Sequence, residues 1–163
     1  LLPELLEASA RLQIEPLLEE VERIITVGLT SDSCVGAMLL ADSLTRPNLL
    51  AAATAVTEQN FAEACQSEKF VRLPVNVLEA LLASDRLGVE LEKEVFHALQ
   101  AWLIAQSPPT PAPMRSRLLA HVRWHLLDEA FVTDVLNPLV VEDHTLSVVV
   151  VKALQERNVG AEA

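Results

Sequence analysis

Apolar residues recur along this chain at steps of three and four, and the stripes they draw predict helices almost from end to end. Leu2, Leu5, Leu6, Ser9 and Leu12 share one face of a first helix. Pro16 stands where a second would begin; Leu17, Leu18, Val21, Ile24 and Ile25 form its stripe, and Gly28 is placed to end it. Ser31 and Asp32 are positioned to cap a third, with Val35, Met38 and Leu39 on its apolar face and the stripe closing near Leu44. Arg46 and Pro47 open a fourth, with Leu49, Leu50, Ala53, Val56 and Phe61 as candidate core.

Shorter elements follow. A brief helix is expected over Phe61 to Cys65, then a capped single turn at Ser67 to Phe70. Pro74 reads as the first residue of a helix burying Val77, Leu78, Leu81 and Leu82, and Ser84 to Gly88 reads as a turn. Glu90 to Ala105 is the clearest helix, with Val95, Phe96, Leu99, Trp102 and Leu103 in one stripe. Ser107 to Pro113 holds four prolines, which excludes regular helix and central strand and predicts a surface loop with polyproline II character. Leu118, Leu119 and Val122 mark a further helix; Asp128 is placed to cap another containing Phe131, Val132, Val135 and Leu136, which Pro138 stops. Leu146 to Leu154 fits either strand or helix, and helix is preferred because there is no convincing strand to pair with it. The sum is an all-α fold of about ten short antiparallel helices stacked as a small helical solenoid or bundle.

Composition narrows the function. Of the 163 residues 51% are apolar, only 4% are aromatic, Tyr is absent and there are four glycines, which argues against a sandwich or barrel. A formal charge of −11 makes nucleic acid and anionic membrane surfaces poor partners, because both require clustered Lys and Arg. No stretch approaches the roughly 20 apolar residues of a membrane span. Two distant cysteines suit a reducing compartment, cytoplasm or nucleus. A first residue of Leu rather than Met points to a segment of a longer protein.

Catalytic chemistry has little to stand on. The scattered glycines cannot cradle a phosphate. His121 and His125 have helical i, i+4 spacing but no third ligand at sensible spacing, so no metal is expected. Glu19, Glu20, Glu22 and Glu90, Glu92, Glu94 read as solvated helix faces, and Arg115, Arg117 and Arg123 as an exposed basic face. Cys34 lies near a helix start, where a thiol can become reactive, but a small buried hydrophobe is the plainer reading, as it is for Cys65. No nucleophile comes with a base and an orienting group, so neither an enzyme nor a cofactor is expected.

Phe61-Ala-Glu-Ala-Cys-Gln-Ser-Glu-Lys-Phe70, the leucine pair at Leu81-Leu82, Ser84-Asp85-Arg-Leu87, Val95-Phe96, Trp102 and Leu118-Leu119-Ala-His-Val122-Arg123-Trp124 stand in an order and spacing that resemble the BACK domain of BTB–BACK–Kelch proteins. Leu5-Leu6-Glu-Ala-Ser-Ala-Arg-Leu12 is similar to a penultimate BTB helix, and Ser33-Cys34-Val35-Gly36 to the start of the 3-box. Ala37 stands where the family has a larger aliphatic residue, Leu40 where it has Phe, and Ser107 to Pro113 where it has a charged loop.

The resemblance implies an organisation: 1–28 as the last BTB helices, 29–60 as the 3-box helix pair, 61–156 as the rest of the BACK domain and 157–163 as a tail. It implies a non-catalytic adaptor of a cullin-3 ubiquitin ligase, homodimeric through its BTB domain, with substrate held by a Kelch domain outside this chain. It also implies an apolar groove for the cullin-3 N-terminal segment, here Cys34, Val35, Met38, Leu39, Leu49 and Ala53. Ordinary intramolecular core is the competing reading for the same six side chains. A helical scaffold without cullin binding is the alternative function.

Overall fold

The computed structural model describes residues 1–128 and 130–132, and among them every regular element is helical. The chain divides into two compact units, one spanning Leu1–Gly88 and a second beginning at Val89.

In the first unit, α1 (Leu2–Arg11), α2 (Glu15–Val27), α3 (Ser31–Ser43) and α4 (Pro47–Gln59) are followed by the short α5 (Phe61–Ala64), a 3₁₀ turn (Phe70–Arg72) and α6 (Val75–Leu82). α1 packs on α2, and α3 on α4, as two helical hairpins. Their joint core is Leu6, Leu18, Val21, Leu40, Ala41 and Leu49. Phe61 and Phe70 are wholly buried and meet edge to face, with centroids 5.9 Å apart.

Both hairpin corners close in the same way. Ile14 N–H donates to the Ser9 carbonyl (3.0 Å) and Gln13 N–H to that of Ala10 (3.2 Å); Arg46 N–H donates to Ala41 (2.8 Å) and Thr45 N–H to Asp42 (3.2 Å). These are the paired bonds of a Schellman closure, which requires a left-handed residue at the corner. Gln13 (φ 55°) and Thr45 (φ 54°) fill that role instead of glycine. For a β-branched residue this region is costly. Thr45→Gly is therefore expected to stabilise the fold by roughly 0.5–1 kcal/mol. A urea midpoint unchanged or lowered at constant m-value would count against that strain. Gly28 does end α2, but at φ −92°, without using its special freedom.

Starts and ends differ from expectation by local chemistry. Thr30, not Ser31 or Asp32, precedes α3; its N–H donates to Ser33 Oγ at 2.9 Å, so the cap lies one residue earlier. Pro74 lies just before α6 instead of beginning it. The end of the proline segment is helical: a helix begins at Ala112 with Pro113 in its first turn, where a missing N–H costs no helical bond.

Two of the glutamates expected on solvated faces, Glu22 and Glu92, are buried beside an arginine, whereas Glu20 stays exposed although Arg23 reaches it. Glu22 accepts from Arg46 Nε at 2.6 Å, tying α2 to the start of α4, and this bond holds the Arg46 guanidinium above its ordinary pKa. Glu58, also buried, faces Arg86 Nη2 at 3.1 Å, while its carbonyl accepts Gly88 N–H at 2.6 Å. A Cβ on Gly88 would come within 2.8 Å of the Gln59 carbonyl oxygen, closer than real contacts allow. Gly88→Ala is expected to cost about 1–3 kcal/mol through the forced backbone shift. A melting temperature equal to wild type would refute this close approach.

In the second unit, α7 (Glu92–Ala105) buries Val95, Phe96, Ala98, Leu99 and Trp102, and packs with α8 (Ala112–Leu119). A 3₁₀ turn, Trp124–Leu126, follows. Trp124 is buried, stacks edge-on to Phe96 with centroids 5.7 Å apart, and donates from Nε1 to the Leu119 carbonyl at 2.9 Å. Glu92 is buried and accepts the Arg123 N–H at 2.8 Å. Val122 is buried beyond the end of α8 instead of within it. Asp128 does cap the next segment: its Oδ1 accepts Phe131 N–H at 2.7 Å. Val135, Leu136, Pro138, His144, the segment Leu146 to Leu154 and the tail 157–163 lie outside the described residues.

Candidate partner-docking cleft

α3 carries apolar residues around most of its circumference, so one neighbouring helix cannot cover it. The side facing α4 is filled: Cys34, Val35, Met38 and Ala41 are buried, with Leu49 and Ala53 of α4 against them. Thr57 Oγ1 donates to the Ala53 carbonyl at 2.8 Å and lies 3.2 Å from Met38 Sδ.

Another side of α3 is only partly covered. Gly36 and Ala37 have too little side chain to fill the space beside them, and a cleft of about 500 Å³ opens there. Gly36, Ala37, Leu39 and Leu40 contribute from α3. Ile24, Ile25, Gly28 and Leu29 line it from the end of α2, and Leu2 and Pro3 from α1. Leu2 and Ile24 are large apolar side chains left 37% and 39% exposed, which marks an apolar surface with room for more contact. Polar groups stand among the apolar ones: Ser33, Ser43, Glu7, and Lys69 and Arg72 from around the 3₁₀ turn. An apolar trough with a few polar groups suits a peptide segment with aliphatic or aromatic anchors.

The six residues expected to form a groove separate here. Leu39 is half-buried and lines the cleft. Cys34, Val35, Met38, Leu49 and Ala53 are each at most 1% exposed and belong to the packed α3–α4 interior. Beside Leu39 the cleft takes in Gly36, Ala37 and Leu40, with α2 residues opposite, none of them among the six expected. The signal was present: the stripes of α1 and α2 are wider than a single hairpin contact can bury.

The other candidates resolve locally. The Cys34 thiol is buried and donates to the Ser31 carbonyl at 3.1 Å, whereas a reactive thiol needs access. His121 follows the end of α8 and His125 lies in a 3₁₀ turn, so the helical i, i+4 geometry of a metal pair does not form. Among the described residues no cluster of three or more His, Cys, Asp or Glu side chains could hold a metal ion. Arg23 grips exposed Glu20 at 2.6 and 2.9 Å and holds that carboxyl below its ordinary pKa. Arg123 of the expected basic face stands 3.9 Å from Glu92. No described helix is long and apolar enough to cross a membrane.

Known proteins share stretches of this sequence. A family model described as BACK, "BTB And C-terminal Kelch", matches residues 34–137. Kelch-like protein 7 of Mus musculus and of Homo sapiens are each 31% identical over 129 residues, covering 79% of this chain and 22% of the relative. The Rattus norvegicus protein is 30% identical over the same span. The chain thus spans about a fifth of the length of these relatives.

Proposed function

The chain belongs to the BACK family of Kelch-like proteins, and from that premise we propose that it is a non-catalytic adaptor module of a cullin-3 ubiquitin ligase. In this reading residues 1–28 close a BTB domain, 29–60 are the 3-box pair, and 61–156 continue the BACK domain toward a Kelch domain that holds the substrate. The parent would be a homodimer through its BTB domain, working in the cytoplasm or nucleus.

One observation carries the proposal: an apolar cleft beside α3, walled by α1 and α2, with large aliphatic side chains left partly exposed. The N-terminal segment of cullin-3 would lay its apolar anchors there. Leu39 would touch the partner. Cys34, Val35, Met38, Leu49 and Ala53 would act from behind, fixing α3 against α4 so that the cleft keeps its shape.

The burial of those five favours a second reading, a helical scaffold that binds no cullin. Calorimetric titration of the cullin-3 N-terminal domain, with and without its leading segment, into the parent protein with its BTB domain intact separates the two. The adaptor reading expects removal of the segment to weaken binding at least about tenfold, roughly 1.4 kcal/mol. Equal affinity with and without the segment, or no binding, supports the scaffold.

A further inference from the structure

Three of the six Lys and Arg side chains of the first unit hold a carboxylate: Arg23 with Glu20, Arg46 with Glu22 and Glu15, Arg86 with Glu58; Arg11 lies away from the cleft. Lys69 and Arg72 are different. Both are exposed, both line the cleft, and neither is within ion-pair distance of a carboxylate among the described residues. In a chain of net charge −11, two such cations beside one apolar trough form a local reversal of sign.

Their placement is specific. The Lys69 stem lies across α3 at Gly36: a Cβ there would sit 3.0 Å from Lys69 Nζ and 3.4 Å from its Cδ. The absence of a side chain at Gly36 is what admits the ammonium to the edge of the cleft. Ser33, in the first turn of α3, lines the same region, where the helix end adds positive potential. The cleft's acidic lining residue is Glu7, on α1.

We propose that Lys69, lying across Gly36, and Arg72 make an anion-recognising subsite in the cleft, and that the bound segment carries a carboxylate side chain beside its apolar anchors. This deepens the docking reading and rests on it. The apolar contacts supply affinity; the carboxylate fixes the direction in which the segment lies and speeds encounter.

The test uses two synthetic peptides of equal length with the same apolar anchors, one followed by paired aspartates and the other by paired asparagines. Each is titrated into the 163-residue chain by fluorescence anisotropy. The aspartate peptide is expected to bind about fivefold tighter at low salt, with the advantage largely screened near about 0.5 M NaCl. In a Lys69→Gln/Arg72→Gln variant, whose altered side chains are exposed, the advantage disappears while the melting temperature holds. Gly36→Ala provides a second check: it raises the melting temperature as a helix-interior Gly→Ala change should, yet shrinks the advantage by displacing Lys69. Equal affinity of the two peptides, binding of neither, or an advantage that survives in the glutamine variant overturns the subsite. If the acidic peptide is preferred but the cullin-3 segment does not bind, the subsite stands and the choice of cullin-3 falls. If cullin-3 binds with full dependence on Leu39 and none on Lys69 or Arg72, the subsite alone falls.

Discussion

Phe70→Ala is expected to lower the unfolding free energy by about 3–5 kcal/mol, the range for a phenylalanine removed from a close-packed interior. The ring is wholly buried and meets Phe61 edge to face at 5.9 Å. Phe70 opens the 3₁₀ turn and Phe61 opens α5, so one contact fixes two short elements that have little helical stability of their own. A domain of this size has only about 5–15 kcal/mol in total, so the loss is a large part of it. Urea unfolding followed by circular dichroism measures it; a change below about 1 kcal/mol would mean that the ring is not the packing element described here. The effect should reach the cleft as well, because Lys69 precedes that turn and Arg72 ends it.

Leu39→Asp is expected to leave the fold standing and to weaken binding of the cullin-3 N-terminal segment by at least about thirtyfold, the loss of a strong interface anchor. Leu39 is half-buried, so a carboxylate there keeps access to water in the free chain, at a stability cost of about 1 kcal/mol or less. In the complex the same carboxylate would be sealed against apolar anchors. Met38→Asp makes the necessary contrast. Met38 is 0% exposed and in contact with Thr57, so its replacement should unfold the first unit instead of reporting on the cleft. If Leu39→Asp binds as wild type does while remaining folded, the cleft is not the docking site.

That contrast shows what the sequence made legible and what it did not. Period identified α3 as a helix with Val35, Met38 and Leu39 as apolar positions. It could not say which of two adjacent residues faces α4, because α3 is apolar around most of its girth and only tertiary packing decides. Buried Glu22 and Glu92 were read as solvated for a related reason: their arginines lie 24 and 31 residues away, beyond the reach of any local pattern. The left-handed corners at Gln13 and Thr45 are likewise not encoded by residue type, since the Schellman bonds and the hairpin packing impose a conformation that glycine would adopt more easily. Where a signal is local, the reading was close: Pro47 opens α4, Asp128 caps the segment after it, and the stripe of Glu92–Ala105 faces inward as its spacing requires.

Hydrogen exchange of the chain, alone and saturated with the cullin-3 N-terminal domain, tests the docking claim most directly. Added protection should appear in Leu2–Arg11, in the second half of Glu15–Val27 and in Ser31–Ser43, and should be small in Glu92–Ala105. Protection confined to Glu92–Ala105 or Ala112–Leu119, or no change anywhere at saturation, would contradict it.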